Sequence, residues 1–412
     1  MQRPHREITI IGAGVIGSAL AYRLAQRGHR VRMLDPQAPG QGGASYGNVG
    51  HLAAELVEPL PSPQLLLGFV KELTIFGGPL HMPMRHWPAL LPWALRFVIA
   101  AFRRSAHTRL LAPLVLESCA EYQRLLDAIG RGDLLRRDGH YQIWSGPEAQ
   151  RAAQAEATHM QRLGVPTAAV DASWLAAQAR LSGENALAAL HFPSCGHVTD
   201  PAAVVQALAA AAVAAGASIE QRQVRSVQSH GAGVRIDCAD GVLDSECAVV
   251  CAGIWSADLL RGHGLKVPLQ AAYGYHVELP GAPARIEAPI LYCAQRLLVT
   301  PMAGRLRASS FMEFSGLHSK VDAGKYQRLD VLLAGLGYPR SDPASHWRGP
   351  RPILPDYLPG LGQVPGQPLY YAIGHQHLGL TMAPISAELM ADAISGTPTR
   401  VPLAPFDLRR FD

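Results

Sequence analysis

The sequence predicts an α/β (α+β) fold, in which a doubly wound domain with a parallel sheet is interleaved with a domain on a mixed antiparallel sheet. Residues 7–35 contain a β-branched run ending in glycine, a helical segment and a second strand, which together form a βαβ unit. The strand-to-glycine pattern returns at 246–253, and a strand, a glycine turn and a helix close the chain at 369–394. Short strands and turns replace this pattern between residues 265 and 340, which indicates a second domain.

The two domains are expected to share the chain in pieces. Asp200 and Pro201 mark a clear helix start, a capping side chain followed by proline at the first helical position. We predict that the doubly wound, Rossmann-like domain comprises residues 1–85, 196–265 and 346–412. Residues 86–195 and 266–345 are then predicted to form the inserted domain.

The composition is that of a globular protein with a large core. Of the 412 residues, 48% are hydrophobic and 17% are charged. The net charge of +5 arises from scattered lysine and arginine residues, so no nucleic-acid partner is expected. The six cysteines form no C-x-x-C pair, so no metal site is expected. With no cleavable secretory signal, reduced thiols and a cytoplasmic location are expected.

The βαβ unit carries a G-x-G-x-x-G motif formed by Gly12, Gly14 and Gly17. The first glycine permits a tight turn, the second lets the backbone approach a pyrophosphate, and the third lets the helix pack on the strand. The helix that begins at Val15 and Ile16 points free N–H groups at the phosphates. Asp35, at the end of the second strand, is placed to bind ribose hydroxyls. The unit therefore predicts a dinucleotide cofactor.

The βαβ unit alone does not distinguish NAD from FAD. A nicotinamide enzyme usually completes its site with a second mononucleotide half, whereas residues 44–51 form a small-residue loop too irregular for another phosphate turn. This favours FAD and leaves a nicotinamide-dependent reductase as an alternative.

Residues 87–104 form the most apolar helical segment of the chain, flanked by Trp87 and Trp93 and followed by Arg103 and Arg104. It is shorter than the roughly 18 apolar residues of a spanning helix. Two interpretations stay open, a helix packed on its own domain or peripheral contact with the inner face of the cell membrane.

Several motifs together resemble the D-amino acid oxidase-like family of FAD-dependent oxidoreductases. They are the G-x-G-x-x-G turn with Asp35, the loop SYGNVGH at 45–51, the G-x-x-x-D-P signal at 196–201, the VVCAG strand at 249–253 and the loop GHQHLG at 374–379. The two loops look most like the D-amino acid dehydrogenase branch, especially enzymes acting on D-proline or cis-4-hydroxy-D-proline.

The resemblance implies a noncovalent FAD and extends the set of cofactor-binding residues. Ser45, Asn48, Val49, Gly50 and His51 would line the flavin. Val224 would touch the adenine side through its backbone, and Ala252 and Gly253 would approach the pyrophosphate. The segment 374–381 would wrap the pyrimidine end of the flavin through Gly374, His377, Gly379, Leu380 and Thr381.

The resemblance also implies where the substrate binds. Arg351 would hold the substrate carboxylate with two parallel hydrogen bonds, and Arg348 remains a rival for this role. Tyr275, on a strand of the inserted domain, would orient the carboxylate or the amine. His51 and His377 are included among the catalytic candidates, His377 as a residue that lines the site.

These inferences together predict an FAD-dependent D-amino acid dehydrogenase. Hydride would pass from Cα of a small D-amino or D-imino acid to flavin N5, giving an imine, and the electrons would go to a quinone or another acceptor. Two other functions stay open, an oxygen-using amine oxidase of the glycine or sarcosine oxidase type and a non-catalytic flavoprotein subunit of a hetero-oligomeric dehydrogenase.

Overall fold

The computed structural model describes residues 5–76, 78–183, 187–281, 286–338 and 345–412. Its α-helices are Val15–Gln26, Gly43–Tyr46, Pro63–Glu72, Trp87–Ala101, Arg104–Val115, Ser118–Ala128, Ala149–Arg162, Ala172–Ser182, Pro201–Ala214, Ser256–Leu259, Ala323–Gly335 and Ala383–Ile394. Short 3₁₀ turns occupy Thr74–Phe76, Met84–His86, Gly132–Leu134, Gly253–Trp255, Gln376–Leu378, Ala404–Phe406 and Leu408–Phe411. The predicted α/β fold class is confirmed.

One sheet of the described chain is almost entirely parallel. Its six strands lie in the spatial order Ser218–Gln221, Arg30–Asp35, Glu7–Ile11, Cys247–Val250, Leu369–Ile373 and Gly360–Gln363. Only the last strand is antiparallel to its neighbour. The strands expected near residues 7, 30, 217, 246 and 369 therefore all belong to this sheet.

A second, larger sheet contains nine strands of the described residues. Eight follow one another in space as Ser345–Ile353, Gln270–Pro280, Arg305–Glu313, Leu297–Met302, Ile290–Tyr292, Tyr141–Ser145, Leu187–His191 and Ala168–Ala169, and the ninth, Leu80–His81, pairs with Arg305–Glu313. Pairing is antiparallel except at two junctions. This agrees with the predicted mixed antiparallel sheet, whereas the division of the chain into two domains remains a prediction.

The strand Ser345–Ile353, which contains Pro350 and Pro352, was not predicted from the sequence. Among the described strands, it lies at the edge of the large sheet, where it pairs with Gln270–Pro280. Proline is tolerated in an edge strand because the N–H that it lacks can be one that points away from the sheet, where no hydrogen bond to a neighbouring strand is lost. The consequence is that Arg348 and Arg351 stand on a strand and not on a loop.

Two small antiparallel sheets complete the set. One is formed by Val224–His230, Gly233–Cys238 and Gly241–Ser245, and the other by His51–Leu52, Gly196–Val198 and Leu135–Arg136. In the latter sheet, His51 pairs with His197. This pairing brings residues far apart in sequence to one wall of the molecule.

The first helix is held in the core by its apolar face. Leu20 and Leu24 are fully buried, and the helix packs against Pro201–Ala214 and Ala383–Ile394. Each leucine contributes about 2 kcal/mol to folding by removal from water. This packing fixes the direction of the helix N-terminus and therefore the position of the glycine turn.

The helix Trp87–Ala101 is apolar on both sides. Its inner face packs Leu90 and Trp93 against Phe314 and Tyr357, and the Trp93 indole N–H donates to the carbonyl of Ile353, 3.3 Å away. Among the described residues, no helix has the length and apolar character needed to span a bilayer.

Candidate functional site

A cavity of about 1140 Å³ lies at the carboxyl ends of the central parallel strands. Ile11, Asp35, Cys251 and Ile373 line it, each at or just after the end of a different strand. Ligands of doubly wound sheets bind at this edge because the loops that follow the strands converge there. From this edge the cavity extends to the large sheet, where Phe311 also lines it.

The glycine turn has the geometry that its motif predicts. Gly12 has φ of +108°, and a Cβ atom there would lie 2.5 Å from the carbonyl oxygen of Cys251. A Cβ atom at Gly17 would lie 1.9 Å from the carbonyl oxygen of Gly12, so this glycine permits close packing of the helix. Gly12, Gly14, Val15 and Ile16 line the cavity, whereas Gly17 lies behind it.

Asp35 supports the turn as well as lining the cavity. Its carboxylate accepts hydrogen bonds from the backbone N–H groups of Ala13 (2.8 Å) and Gln37 (2.9 Å). Val224 lines the same cavity, together with Arg222 and Arg225. A carboxylate has enough lone pairs to accept further hydrogen bonds from ribose hydroxyls.

The small-residue loop crosses the start of the first helix. The Ser45 hydroxyl accepts from the N–H of Val15 at 3.1 Å, and this serine lines the cavity with Asn48 and Val49. Gly50 is turned away from the cavity, since its N–H donates to the Asn48 side chain at 2.7 Å and its carbonyl accepts from Val198. Ala252 and Gly253 complete the lining opposite the glycine turn.

The C-terminal loop forms another wall through Gly374, His377, Gly379 and Leu380. Thr381 stands behind them, and its hydroxyl accepts from the N–H of Ala53 at 3.1 Å. Burial, reinforced by the nearby Arg351 cation, lowers the pKa of His377 to about 4. His377 is therefore neutral at pH 7.

His51 lies in the cavity wall and is fully enclosed on its other sides. Its Nε2 is 2.9 Å from an oxygen of Glu55, a carboxylate that no sequence motif singled out. Its ring is 4.3 Å from that of His140, measured between centroids. A helical or strand pattern could not have revealed this group, because Glu55 follows His51 in an irregular turn.

Arg351 lies at the end of the cavity formed by the large sheet. Its guanidinium donates to the carbonyl of Phe311 at 3.1 Å and makes no ion pair with any described residue. Burial lowers the pKa of Arg351, although an arginine so placed remains protonated at neutral pH. Gly274, on the neighbouring strand, makes room for the guanidinium because it carries no side chain.

The partners of the Arg348 side chain lie outside the cavity lining. Its guanidinium pairs with Glu313 at 2.9 Å, donates to the carbonyl of Ser319 at 2.9 Å, and lies 3.3 Å above the ring of Tyr273. Lys325 also contacts Glu313, and neither cation lines the cavity. Of the two arginines left open by the sequence, only Arg351 faces the cavity.

Tyr275 also lies outside the cavity lining. Its side chain is fully buried, and its hydroxyl donates to Glu313 at 2.8 Å. Burial and this hydrogen bond raise the pKa of Tyr275. The structure therefore does not bring Tyr275 together with Arg351, His51 and His377 at the cavity.

Apolar residues that the sequence did not mark surround Arg351. Leu291, Leu298, Phe311, Met312 and Trp347 line this end of the cavity. Phe311 has φ of +68°, at the point where the pairing of two strands of the large sheet shifts register. Irregularities of this kind redirect side chains, and here one turns apolar groups towards the cavity.

The fold and the cavity together define a dinucleotide-dependent oxidoreductase. The helix start at Gly14, the close approach allowed at Gly12 and the acid at Asp35 fit the pyrophosphate and ribose of FAD. Residues 7–393 match the family model described as FAD dependent oxidoreductase, and the chain belongs to this family. The predictions of family, FAD cofactor and oxidoreductase activity are confirmed.

Relatives with assigned activities extend over nearly the whole chain. The D-amino-acid oxidase of Bradyrhizobium diazoefficiens is 28% identical over 98% of this chain and 99% of its own length. The D-amino acid dehydrogenase 2 of Ralstonia nicotianae is 30% identical over 98% of this chain and 100% of its own.

Solved structures show the same fold. Glycine oxidase from Geobacillus kaustophilus superposes with a TM-score of 0.78 at 26% identity, covering 98% of this chain and 99% of its own. L-proline dehydrogenase from P. horikoshii superposes with a TM-score of 0.73, covering 99% of this chain and 98% of its own. At 16% identity, the second likeness concerns the fold alone.

Proposed function

We propose that this protein is an FAD-dependent dehydrogenase that oxidises a small D-amino or D-imino acid, with D-proline or cis-4-hydroxy-D-proline as the favoured substrate. The observation that carries the proposal is Arg351, a cation that has no ion-pair partner among the described residues and lies at the apolar end of the cavity. The relatives named D-amino acid oxidase and dehydrogenase support the choice of substrate class.

A buried guanidinium without a counter-ion lowers the stability of the folded protein, and a bound ligand that carries a negative charge would remove this penalty. A carboxylate matches the two parallel N–H groups of arginine, and one N–H of Arg351 already donates to Phe311. The remaining donors make no hydrogen bond to the part of the chain that the structure describes, and they can bind a carboxylate. Arg348 does not compete for this role, because Glu313 already neutralises it.

The surroundings of Arg351 favour a substrate with a small and mainly apolar side chain. Ser309 and Ser310 line the same end, but their hydroxyls already donate to the carbonyls of Tyr275 and Arg296. Leu298 and Phe311 offer apolar contact of a kind that a pyrrolidine ring would fill. These features, together with the cation Arg296 in the lining, support a cyclic imino acid over an amino acid with a cationic side chain.

When bound, FAD supplies the two-electron acceptor for hydride from the substrate Cα. The chain contributes orientation, because Arg351 would fix the carboxylate and thereby the Cα–H bond. His377 stays neutral and adds no second cation beside Arg351. The apolar wall around Leu298 and Phe311 excludes water from the reacting carbon.

We propose that the FAD is held noncovalently. Cys251 lines the cavity, and burial raises the pKa of its thiol to about 12, so that the nucleophilic thiolate is scarce at neutral pH. Cys293 is outside the lining. Flavin that remained in the protein precipitate after acid treatment would contradict this proposal.

A quinone in the membrane is the acceptor that we propose, and an exposed apolar stripe supports it. Trp87, Leu91, Leu95, Val98, Ile99 and Phe102 follow one face of the helix Trp87–Ala101 and its end, each between 40% and 74% exposed. Exposed basic residues flank the stripe at Arg85 and Arg103. Such a helix can lie in the lipid headgroup region, with its cations near anionic lipid.

The test is anaerobic reduction of the flavin, observed through its visible absorption. D-proline, cis-4-hydroxy-D-proline, D-alanine, D-arginine, glycine, sarcosine and the L-isomers would be mixed in turn with the purified protein. We expect the cyclic D-imino acids to bleach the flavin fastest. Fast bleaching by glycine or sarcosine would instead support an amine oxidase, and rapid turnover with oxygen would strengthen that alternative.

A matched pair of variants tests the carboxylate-binding role. Arg351→Lys keeps a charge but loses the paired donors, so the dissociation constant for substrate should rise at least tenfold, or about 1.4 kcal/mol. Arg348→Lys should leave this constant near the wild-type value. If bleaching by every amino acid were absent while flavin stayed bound, a non-catalytic flavoprotein subunit would be the better description.

A further inference from the structure

Four residues with metal-binding side chains meet in a buried group behind the cavity wall, and the proposed function does not use this group. Glu55 lies at its centre, with one carboxylate oxygen 2.9 Å from Nε2 of His51 and the other 3.0 Å from the thiol sulfur of Cys195. Nε2 of His140 lies 3.8 Å from the same carboxylate. The donor atoms of His51, Glu55 and Cys195 all lie within 4.8 Å of one another, and all four residues are buried.

Backbone carbonyl groups fix the direction of both imidazole rings. Nδ1 of His51 lies 3.3 Å from the carbonyl oxygen of Gly196, and Nδ1 of His140 lies 3.1 Å from that of Pro289. A carbonyl oxygen only accepts, so each Nδ1 carries a hydrogen and donates it. Both Nε2 atoms therefore point towards Glu55. Histidines that bind zinc typically have this arrangement, because a hydrogen bond from one ring nitrogen orients the other as the ligand.

The contact between His140 and Glu55 is one that hydrogen bonding within the group does not explain. The ring of His140 is 1% exposed, and burial disfavours its charged form. In the neutral ring, the hydrogen on Nδ1 leaves Nε2 with a lone pair, and no described residue donates a hydrogen bond to it. This lone pair faces a carboxylate oxygen, which also only accepts. Two buried acceptors that face each other repel, and a cation between them would make both contacts attractive.

The charges and the mixture of donor atoms favour zinc. A dipositive ion held by the Glu55 carboxylate, the Cys195 thiolate and two neutral imidazoles forms a group without net charge, so burial carries little penalty. Sulfur, nitrogen and carboxylate oxygen donors suit zinc, whereas magnesium and calcium take oxygen ligands. Tetrahedral zinc with bonds of about 2.0 to 2.3 Å holds its ligand atoms roughly 3.3 to 3.8 Å apart. The distances of 2.9, 3.0 and 3.8 Å around Glu55 lie close to that range.

We propose that His51, Glu55, His140 and Cys195 form a structural zinc site. With four protein ligands the site is closed, so the ion stabilises the fold and takes no part in the oxidation. The spacing of the cysteines did not indicate this site, because it uses a single cysteine and draws its other ligands from distant positions. The proposal depends neither on the bound FAD nor on the amino acid that is oxidised.

The ion would join three segments of the chain that are far apart in sequence. They are the turn at residues 51–55, the residue before the strand Tyr141–Ser145 and the residue before the strand Gly196–Val198. His51 is the ligand that also lines the cavity. Zinc would therefore fix this part of the cavity wall to the large sheet.

The first measurement is the metal content of the purified holoenzyme, by mass spectrometry of the elements after desalting on a metal-free column. We expect about one zinc ion per chain. Protein treated with a chelator, incubated with Zn²⁺ and desalted again should regain the same amount. If no zinc were retained after either treatment, the proposal would be overturned.

Cobalt(II) tests the geometry in the wild-type protein, so that no variant has to fold. The difference spectrum between cobalt-loaded and zinc-loaded protein removes the flavin absorption. We expect the intense visible bands of tetrahedral cobalt together with a charge-transfer band from the Cys195 thiolate. The weak spectrum of octahedral cobalt, or the absence of the thiolate band, would show that the ion binds elsewhere and would contradict the proposal.

A matched pair of variants tests the ligands. Cys195→Ser and Cys247→Ser make the same change at two buried thiols, but Cys247 lies in the parallel sheet and outside the group. Zinc is expressed per bound FAD, so that unfolded protein is not counted. We expect it to fall about tenfold or more in Cys195→Ser and in His140→Gln, and to be unchanged in Cys247→Ser. Equal zinc in the two serine variants, or full zinc in His140→Gln, would refute the four-ligand site.

Discussion

The guanidinium of Arg351 lies against the Cα atom of Gly274, on the neighbouring strand of the large sheet. A Cβ atom at Gly274 would come within 2.2 Å of Nη2 of this arginine. Gly274 pairs with Gly349, two positions before Arg351, so the side chain crosses the ladder diagonally to reach the cavity. The position of the proposed carboxylate-binding group thus depends on Gly274, which has no side chain to block it.

Gly274→Ala should displace this guanidinium without removing it. We expect the dissociation constant for the amino-acid substrate to rise at least tenfold, about 1.4 kcal/mol, while flavin content stays unchanged. Gly335→Ala is the control, because nothing lies within 4 Å of a Cβ atom there. Substrate binding by Gly274→Ala equal to that of the wild type would show that the guanidinium can move freely.

Gly12→Ala should prevent the protein from retaining FAD. The new methyl group would lie 2.5 Å from the carbonyl oxygen of Cys251, and φ of +108° is unfavourable for alanine. Gly130→Ala is the control that separates backbone strain from steric clash. Gly130 also has positive φ, but nothing lies within 4 Å of a Cβ atom there. We expect the ratio of bound flavin to protein to fall severalfold only in Gly12→Ala, and loss in both variants would contradict this.

The folded protein should lose stability as the pH falls below neutral. Burial lowers the pKa of His140, His276 and His375 to about 3 and that of His197 and His377 to about 4. Unfolded histidines bind protons near pH 6.5, so the unfolded state takes up more protons as pH drops through that value. The contribution of these neutral histidines to the free energy of unfolding is therefore full well above pH 6.5 and declines as the pH falls below that value.

Urea unfolding of the flavin-free protein at several pH values measures this effect. Each buried neutral histidine contributes up to about 1.4 kcal/mol per pH unit to the decline. His375→Gln should make the dependence shallower by about one proton. A free energy of unfolding that stays constant between pH 7 and pH 5 would contradict the proposed protonation states.

The exposed stripe on the helix Trp87–Ala101 should mediate binding to anionic lipid vesicles. Flotation of the protein with vesicles should decrease severalfold when Leu95 and Ile99 are both changed to glutamate, because charge is expelled from the lipid interface. Changing Val321 and Val331 together to glutamate introduces the same two charges at other exposed apolar positions and should have no effect. Equal flotation of all three proteins, or none by the wild type, would contradict membrane contact through this stripe.

The local features of the parallel sheet could be predicted from the sequence. The G-x-G-x-x-G turn, the strand before it and the helix after it lie within a few residues of one another, and backbone sterics alone constrain them. The same holds for Asp35 at the end of the next strand. The cavity lining contains the FAD-binding residues predicted from the glycine turn and from the family resemblance, except Gly17, Gly50 and Thr381, and their contacts with FAD remain a prediction.

The residues in the other half of the cavity could not be predicted in this way, because contacts between distant parts of the chain place them there. Periodicity could not reveal that Pro350 and Pro352 belong to an edge strand, nor that Glu313 engages Arg348 and Tyr275. The contacts of His51 with Glu55 and with Gly196 likewise join distant parts of the folded chain. The sequence alone determined the fold class, the cofactor motif and the family. Only tertiary packing decided which arginine faces the cavity and which histidines are buried in neutral form, because burial and charge pairing are properties of groups brought together by folding.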